Sequence, residues 1–447
     1  MHSSAKPAIT YVGDIQDKNA EPVPFRVAAP DGIDGDAKQQ LDDHRGIAFV
    51  DDLRQAQAAI IRSKTKFPSP KDLANKFSGD PDAHSFADYE ALQYVVRSGD
   101  GHDNIDKKEA CTHAVATENT PGVSTRDVAL QTTAFILAWA CRVPDGTAGL
   151  KQHKWQKKTL LARELGEMTL GVIGHGNIGT TVEGALKMYF KHVQYYDIDP
   201  EKSNTETLEQ LLATSDVVTI HINGKQEVLT PERIAQMRRT QLLVNTARGT
   251  NVNNSALLER LNAGDGFMYA SDVYRQEPPD FPQPKEDHPG DAVATAIIDH
   301  PNFFGTPHIA SSRIGNQRNL GRIAVARVLA YAEHGHVNPD DIPGHTFPRI
   351  VLDPRDVPGI RGVVFHENSP GKLKAIYTAL SDAGMNIRGD KNDHSRINGN
   401  TLAMTQFDLE PDVSPTRACS VMREIQAQTS AFRTRLLAYT ASTPSGT

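Results

Sequence analysis

Cysteine is scarce in this 447-residue sequence: Cys111, Cys141 and Cys419 are far apart and odd in number. Such spacing offers neither a disulfide framework nor a thiolate metal centre, so the three read as reduced thiols and no metal site is expected. Long apolar runs are missing as well. None approaches the ~18 residues of a membrane span, and the opening MHSSAKPAITYVGDIQDKNAEPVP holds no hydrophobic stretch of the signal-peptide kind. Positive charge is not in excess, since 48 Lys and Arg face 55 Asp and Glu, a formal net charge of −7 spread along the chain. Nucleic acid and membrane surfaces are therefore poor partners, and an anionic substrate would need a local cationic pocket. These absences point to a cytoplasmic protein of two or three domains, with residues 1–24 as a flexible polar tail.

What is present is a repeating strand–helix rhythm. Phe25 to Ala28, Ile47 to Val50, Ala58 to Ile61 and Leu92 to Val96 read as strands, with Gly35 to His44 as a helix. The polar stretch Ser78 to Glu90 reads as a surface insertion. Ser124 to Arg142 and Gln317 to His334 are apolar helices, and Val217 to His221, Leu242 to Asn245 and Met268 to Asp272 are further strands. Pro278 to Pro289 is a loop and Asn338 to Pro348 a proline-rich linker. Alternating strands and helices imply α/β architecture with doubly wound parallel sheets. After the linker, strand, helix, strand, strand, helix, strand suits a small α+β sandwich.

The most specific segment is Thr169 to Pro200, TLGVIGHGNIGTTVEGALKMYFKHVQYYDIDP. An apolar strand enters Gly174-His175-Gly176-Asn177-Ile178-Gly179, a helix follows, and a second strand ends at Asp197. Gly174 allows the tight turn, Gly176 lets a pyrophosphate approach the backbone, and Gly179 lets helix and strand pack closely. The helix N-terminus offers N–H groups to the phosphates. Asp197 is placed to accept ribose hydroxyls and to repel a 2′-phosphate, which favours NAD over NADP.

A nicotinamide cofactor implies hydride transfer, for which the protein supplies an acid/base, a clamp and orientation. Three strand ends carry such groups. Arg248, in Asn245-Thr246-Ala247-Arg248-Gly249, offers a guanidinium for a carboxylate. His308, in Gly305-Thr306-Pro307-His308, is a proton shuttle, and Glu277, in Asp272-Val273-Tyr274-Arg275-Gln276-Glu277-Pro278, can fix its tautomer.

Taken together, these motifs resemble the D-specific 2-hydroxy-acid dehydrogenases over residues 25 to 440, and within them the phosphoglycerate-oxidising branch with a C-terminal ACT domain. The resemblance implies a catalytic triad of Arg248, Glu277 and His308, with cofactor contacts from Gly174, Gly176, Asn177, Ile178, Gly179, Asp197, His221, Thr246, Ala247, Arg248, Asp272 and His308. It assigns Arg62 and Ser63, the Gly99 and Gly101 loop, Arg248 and Lys157 to the substrate, with Trp155 and Lys157 reaching a neighbouring subunit. It implies domains at 25–123 with 312–345 (substrate), 124–311 (NAD) and 350–440 (a ferredoxin-like ACT module). His366, Asn368 and Asn386 would bind an L-serine effector, and the assembly would be a homo-oligomer, dimer or tetramer.

The implied reaction is NAD-dependent oxidation of a phosphorylated D-2-hydroxy acid, 3-phosphoglycerate above others. Hydroxypyruvate, glyoxylate or a phosphonate analogue stays open as substrate, as does an NAD-sensing corepressor-like role. Three features depart from the family pattern. Its N-T-x-S-V-A-E segment reads Ser124-Thr125-Arg126-Asp127-Val128-Ala129-Leu130, its H-x-P reads His221-Ile222-Asn223, and the loop after Glu277 is longer than usual.

Overall fold

A computed structural model gives the architecture. It describes residues 9–15, 22–62, 65, 86–101, 104–237, 240–275, 277, 292–335, 358–397, 400–431 and 433–441. Two compact units emerge, residues 1–121 with 318–447 and residues 122–317. The expected loop Pro278 to Pro289, the linker Asn338 to Pro348 and the substrate-loop residues Ser63 and Lys64 lie outside the described residues.

The first unit begins with β1 (Ile9–Ile15), β2 (Pro22–Val23), β3 (Phe25–Ala28), α1 (Gly35–Asp42), β4 (Ile47–Phe49), β5 (Ala58–Ile61), β6 (Tyr94–Arg97), α2 (Lys107–Thr112) and β7 (Ala116–Asn119). Asp34 caps α1 by accepting from Asp36 N. Strands β3 to β7 form a parallel sheet in the order β4-β3-β5-β6-β7. Every residue of β5 is buried, as expected for a strand covered on both faces.

The second unit runs through α3 (Thr125–Ala140), α4 (Val143–Lys151), β8 (Thr169–Ile173), α5 (Asn177–Leu186), β9 (His192–Tyr196), α6 (Leu208–Thr214), β10 (Val217–Ile220), α7 (Pro231–Gln236), β11 (Leu242–Asn245), α8 (Asn254–Asn262), β12 (Met268–Ser271), α9 (Ala292–Ile298) and β13 (Phe303–Gly305). Its sheet is parallel, in the order β13-β12-β11-β10-β8-β9. The order in which strands are added reverses at β8, with β9 on one side of it and β10 on the other. Ligands of open α/β sheets gather at the carboxyl ends of strands beside such a switch point. Here those ends carry Gly174 and His221.

Helix α10 (Ile314–His334), most of it in the first unit, is followed by β14 (Gly359–Glu367), α11 (Lys372–Asp382), β15 (Ile387–Ile397), β16 (Asn400–Leu409), α12 (Pro415–Thr429) and β17 (Arg433–Ala441). The strand order β15-β16-β14-β17, antiparallel throughout, is ferredoxin-like.

Three expectations are corrected here. Residues 1–24 are not all tail, because β1 pairs antiparallel with β17 and with β2, extending the C-terminal sheet to six strands. The end of the Ser78 to Glu90 stretch is not a surface insertion, because Phe86 and Tyr89 join the core under the first sheet. Finally, residues 350–440 do not form a core of their own alone. Val363, Phe365 and Leu437 share one apolar cluster with Phe25 and Tyr94 of the first sheet and Tyr331 of α10. Tyr331 stacks on Tyr94 with ring centroids 4.7 Å apart, a contact worth about 1 kcal/mol beyond area burial. At the centre Arg435 donates to both carboxylate oxygens of Asp14 at 2.8 and 3.0 Å. Its guanidinium also lies over Phe25 and Tyr331. Aromatic faces and carbonyl acceptors replace the water this ion pair has lost.

Candidate active site

The glycine turn after β8 separates two kinds of glycine. A Cβ on Gly174 (φ +88°) would lie 2.6 Å from the His221 carbonyl oxygen, and one on Gly179 would lie 2.0 Å from the Gly174 carbonyl oxygen. The protein's own packing demands both. Gly176 has an ordinary φ of −82°, and a Cβ there would meet nothing within 4 Å. The bare surface at Gly176 therefore serves no internal contact, and it faces the start of α5, where Asn177 and Ile178 open the helix. Such a cradle fits a pyrophosphate.

Asp197 stands at the end of β9. Its carboxylate accepts from His175 N at 2.7 Å and Asp199 N at 3.0 Å, which fixes its orientation and leaves acceptor capacity on each oxygen. The His175 ring stacks on Tyr195 and meets Glu183 at 3.1 Å. His221 is buried, with Nε2 against Thr219 Oγ1 at 3.0 Å and Nδ1 without a partner among the described residues. Burial pushes its pKa down to about 3, so the imidazole is neutral.

Arg248 is set by two buried asparagines. Asn245 Nδ2 donates to the Arg248 carbonyl at 2.8 Å, and Asn251 Oδ1 accepts from Arg248 N at 3.0 Å. Thr246 and Ala247 are buried and turned inward, the first bonded to Thr132 Oγ1 and the second to Asn245 Oδ1. These bonds shape the turn at which both are expected to meet the cofactor.

The second unit brings together the expected acid/base pair. His308 Nδ1 and Glu277 Oε2 are 2.7 Å apart, with both side chains partly open to solvent. Burial pushes the Glu277 carboxyl up. The hydrogen bond and charge of His308, the Tyr274 N–H and the Arg248 guanidinium outweigh it, so Glu277 is held below the usual carboxylate range. An ionised Glu277 can only accept, so Nδ1 carries the hydrogen and donates to it, and Nε2 is the acceptor nitrogen. Among the described residues nothing bonds to Nε2. His308 sits at φ +52°, a left-handed conformation uncommon outside glycine.

Asp272 is fully buried. Its carboxylate accepts from Thr306 Oγ1, Ile309 N and Ala310 N, so it grips the His308 loop on both sides. Thr306 and Tyr274 were not foreseen as site residues. Both stand inside motifs the sequence offered, but only tertiary contacts give them a role.

On the substrate side, Arg62 is exposed, and Asp31 pins its loop by accepting from Arg62 N and Thr65 N. Gly99 corrects an expectation: its N–H donates to Thr120 Oγ1 at 2.7 Å and so does not point at a ligand. Gly101 is half-buried, and Lys157 and Trp155 are exposed. In the altered segment, Ser124 Oγ accepts from Asn316 Nδ2 and Asp127 pairs with Arg313 at 3.1 Å, so Ser124 and Asp127 serve packing within the second unit. Among the presumed effector residues, Asn368 and Asn386 are exposed, but His366 is buried. Its Nδ1 meets the Glu367 carbonyl at 2.8 Å and its Nε2 meets Thr405 Oγ1 at 3.0 Å. That ring has no nitrogen to offer a ligand.

Residues 133–310 match the family of the D-isomer specific 2-hydroxyacid dehydrogenase NAD binding domain. The chain is 30% identical over 327 residues to D-3-phosphoglycerate dehydrogenase of Bacillus subtilis, covering 69% of this chain and 57% of that protein. It is 29% identical over 325 residues to hydroxypyruvate reductase of Thermotoga maritima, covering 68% of this chain and 97% of the relative. The chain therefore spans little more than half the length of the phosphoglycerate dehydrogenase it matches. D-lactate dehydrogenase of Aquifex aeolicus, solved with NAD and lactic acid, shares the fold at TM-score 0.57 and 23% identity, over 68% of this chain and 95% of its own. Among the described residues no helix is long and apolar enough to cross a membrane.

Proposed function

From its membership of the D-isomer specific 2-hydroxyacid dehydrogenases, carried by residues 133–310, we propose that this protein oxidises 3-phospho-D-glycerate to 3-phosphohydroxypyruvate with NAD. The observation that carries the reading is the His308–Glu277 contact at 2.7 Å, with the Arg248 charge bearing on the same carboxylate. NAD, when bound, supplies the carbon that accepts the hydride. His308 Nε2 takes the hydroxyl proton, and the ionised Glu277 stabilises the imidazolium through Nδ1–H. Arg248 pairs with the substrate carboxylate. Arg62, Ser63, Gly101 and Lys157 are the proposed holders of the remaining substrate oxygens, with Arg62 and Lys157 offsetting the phosphate charge.

The same reading includes a homo-oligomer. Leu150, Trp155, Leu161 and Met188 of the second unit are all more than half exposed, apolar side chains of the kind that a second copy covers. L-serine is the proposed effector, with Asn368 and Asn386 as contacts and His366 as an internal support. One assay tests the whole: NADH formation with phosphorylated and plain D-2-hydroxy acids. The expected result is a kcat/KM at least tenfold higher for phosphoglycerate. Absence of turnover on every acid, with NAD still bound, would sink the enzymatic reading.

A second reading, reduction of a plain acid such as hydroxypyruvate, is favoured by the 97% coverage of the Thermotoga relative. A preference for unphosphorylated acids in that assay would select it.

A further inference from the structure

The three segments that carry Arg248, Glu277 and His308 converge on one residue that the triad does not include, Tyr274, the Arg248 and Glu277 segments through its backbone and the His308 segment through its side chain. Tyr274 N donates to Glu277 Oε1 at 3.2 Å, the oxygen opposite the one that meets His308. Tyr274 Oη donates to the Thr306 carbonyl at 3.1 Å, and that carbonyl also accepts from His308 N at 3.0 Å. Two glycines make room for it. A Cβ on Gly249, next to Arg248, would lie 2.0 Å from the Tyr274 carbonyl carbon, and one on Gly305 would lie 2.8 Å from Tyr274 Oη. Gly249 is therefore set by the place of the Tyr274 backbone, and Gly305 by the Ser271 carbonyl together with the Tyr274 hydroxyl. The side chain extends a small cavity wall shared with Ile297 and Phe303.

We propose that Tyr274 is a positioning residue which ties the Glu277 and His308 segments together and holds His308 in its left-handed conformation with Nε2 turned outward. The proposal rests on His308 being the proton acceptor. The backbone N–H makes the Glu277 side of this tie and the hydroxyl makes the His308 side. A phenylalanine would fill the same volume yet leave the Thr306 carbonyl with only the strained turn to support it. Burial, with Tyr269, Asp272 and Glu277 nearby, raises the phenol well above its ordinary acidity constant, so the hydroxyl keeps its proton and stays a donor. Asp272 fixes the loop through Thr306 Oγ1, Ile309 N and Ala310 N. Tyr274 adds the restraint on the carbonyl side that links this loop to Glu277.

Tyr274→Phe in the full-length protein tests this. Turnover of the best D-2-hydroxy acid should fall about tenfold while KM for NAD stays within twofold, as loss of orientation rather than of binding predicts. In a Glu277→Gln background the same change should cost less than twofold, because the tie no longer has a carboxylate to place. Losses that multiply across the two variants would overturn the proposal. Ring-nitrogen NMR of His308, assigned with His308→Ala, gives a readout that needs no substrate. In the unaltered protein the Nδ1–H tautomer should dominate, and in Tyr274→Phe the two nitrogens should move toward the mixture of a free imidazole. Unchanged shifts would overturn the inference even where turnover is seen. Lack of turnover by the unaltered protein would overturn the proposed function and leave the tautomer result to decide the role of Tyr274.

Discussion

His308 and His366 carry the same imidazole into two different modules, and the sequence motifs cast both as ligand-facing. The surrounding chain treats them in opposite ways. At the carboxyl end of the parallel sheet, one nitrogen of His308 is held by Glu277 and the other is left unsatisfied by the described residues. In the ferredoxin-like module both nitrogens of His366 are taken, one by a carbonyl and one by Thr405, which itself donates to Asn392. A histidine is chemically available only where the fold leaves a hydrogen-bonding capacity unmet, and that is a property of contacts, not of motif.

The largest expected effect tests that contrast directly. His308→Gln should lower kcat about a thousandfold with NAD affinity unchanged, whereas His366→Gln should leave kcat within twofold. Stopped or steady-state NADH formation on both variants checks it, and similar losses in the two would erase the distinction.

A second test asks whether the C-terminal module is closed throughout. Asp14→Ala leaves Arg435 charged and buried without its carboxylate, and should cost about 3 kcal/mol in urea unfolding. Arg435→Met with Asp14→Leu together should recover most of that loss. A small effect of Asp14→Ala would mean that β1 is only loosely attached.

His221 sharpens the contrast from the other side, as a buried, neutral histidine within the open region whose Nδ1 has no partner among the described residues. Its folded pKa of about 3 lies far below that of an unfolded imidazole. Between those two values the unfolded chain binds a proton that the native chain refuses. Stability is therefore present above the unfolded value and is lost as pH falls toward the folded one. Lowering the pH from 7 to 5 should cost about 2 kcal/mol through this group alone. Denaturation of His221→Leu should show a correspondingly shallower pH dependence, and an identical slope would refute the buried, neutral assignment.

The smallest effect concerns the effector. If L-serine inhibits, Asn386→Ala should weaken its apparent affinity a few-fold while His366→Gln should not. Calorimetric titration distinguishes the two, and loss only in the His366 variant would reverse the contrast.

Much of the second unit was legible in the sequence because its signals are local. Gly174 to Gly179 and Asp197 fall within one strand–turn–helix–strand unit, and parallel strands such as Val217–Ile220 and Leu242–Asn245 are mostly apolar runs. The strand Ile9–Ile15 was not legible, since its few apolar residues are interrupted by Gly13 and Asp14 and set in polar chain on both sides, and its hydrogen bonds come from β17, more than 400 residues away. Gly99 misled for a related reason: its glycine-loop motif is real, yet Thr120, 21 residues on at the end of the next strand, takes the N–H.

Residue types and their spacing settled the chemistry available here: a glycine turn with an acid behind it, and a guanidinium, a carboxylate and an imidazole each placed just past a buried strand. Periodicity and motif are short-range, so they suffice for that. Which of these groups keeps an unmet hydrogen bond, which is consumed by a neighbour, and that Tyr274 and Asp272 brace the His308 turn were decided only when residues 20 to 40 positions apart came into contact. Satisfaction of polar groups is a many-body condition, and no single stretch of chain contains it.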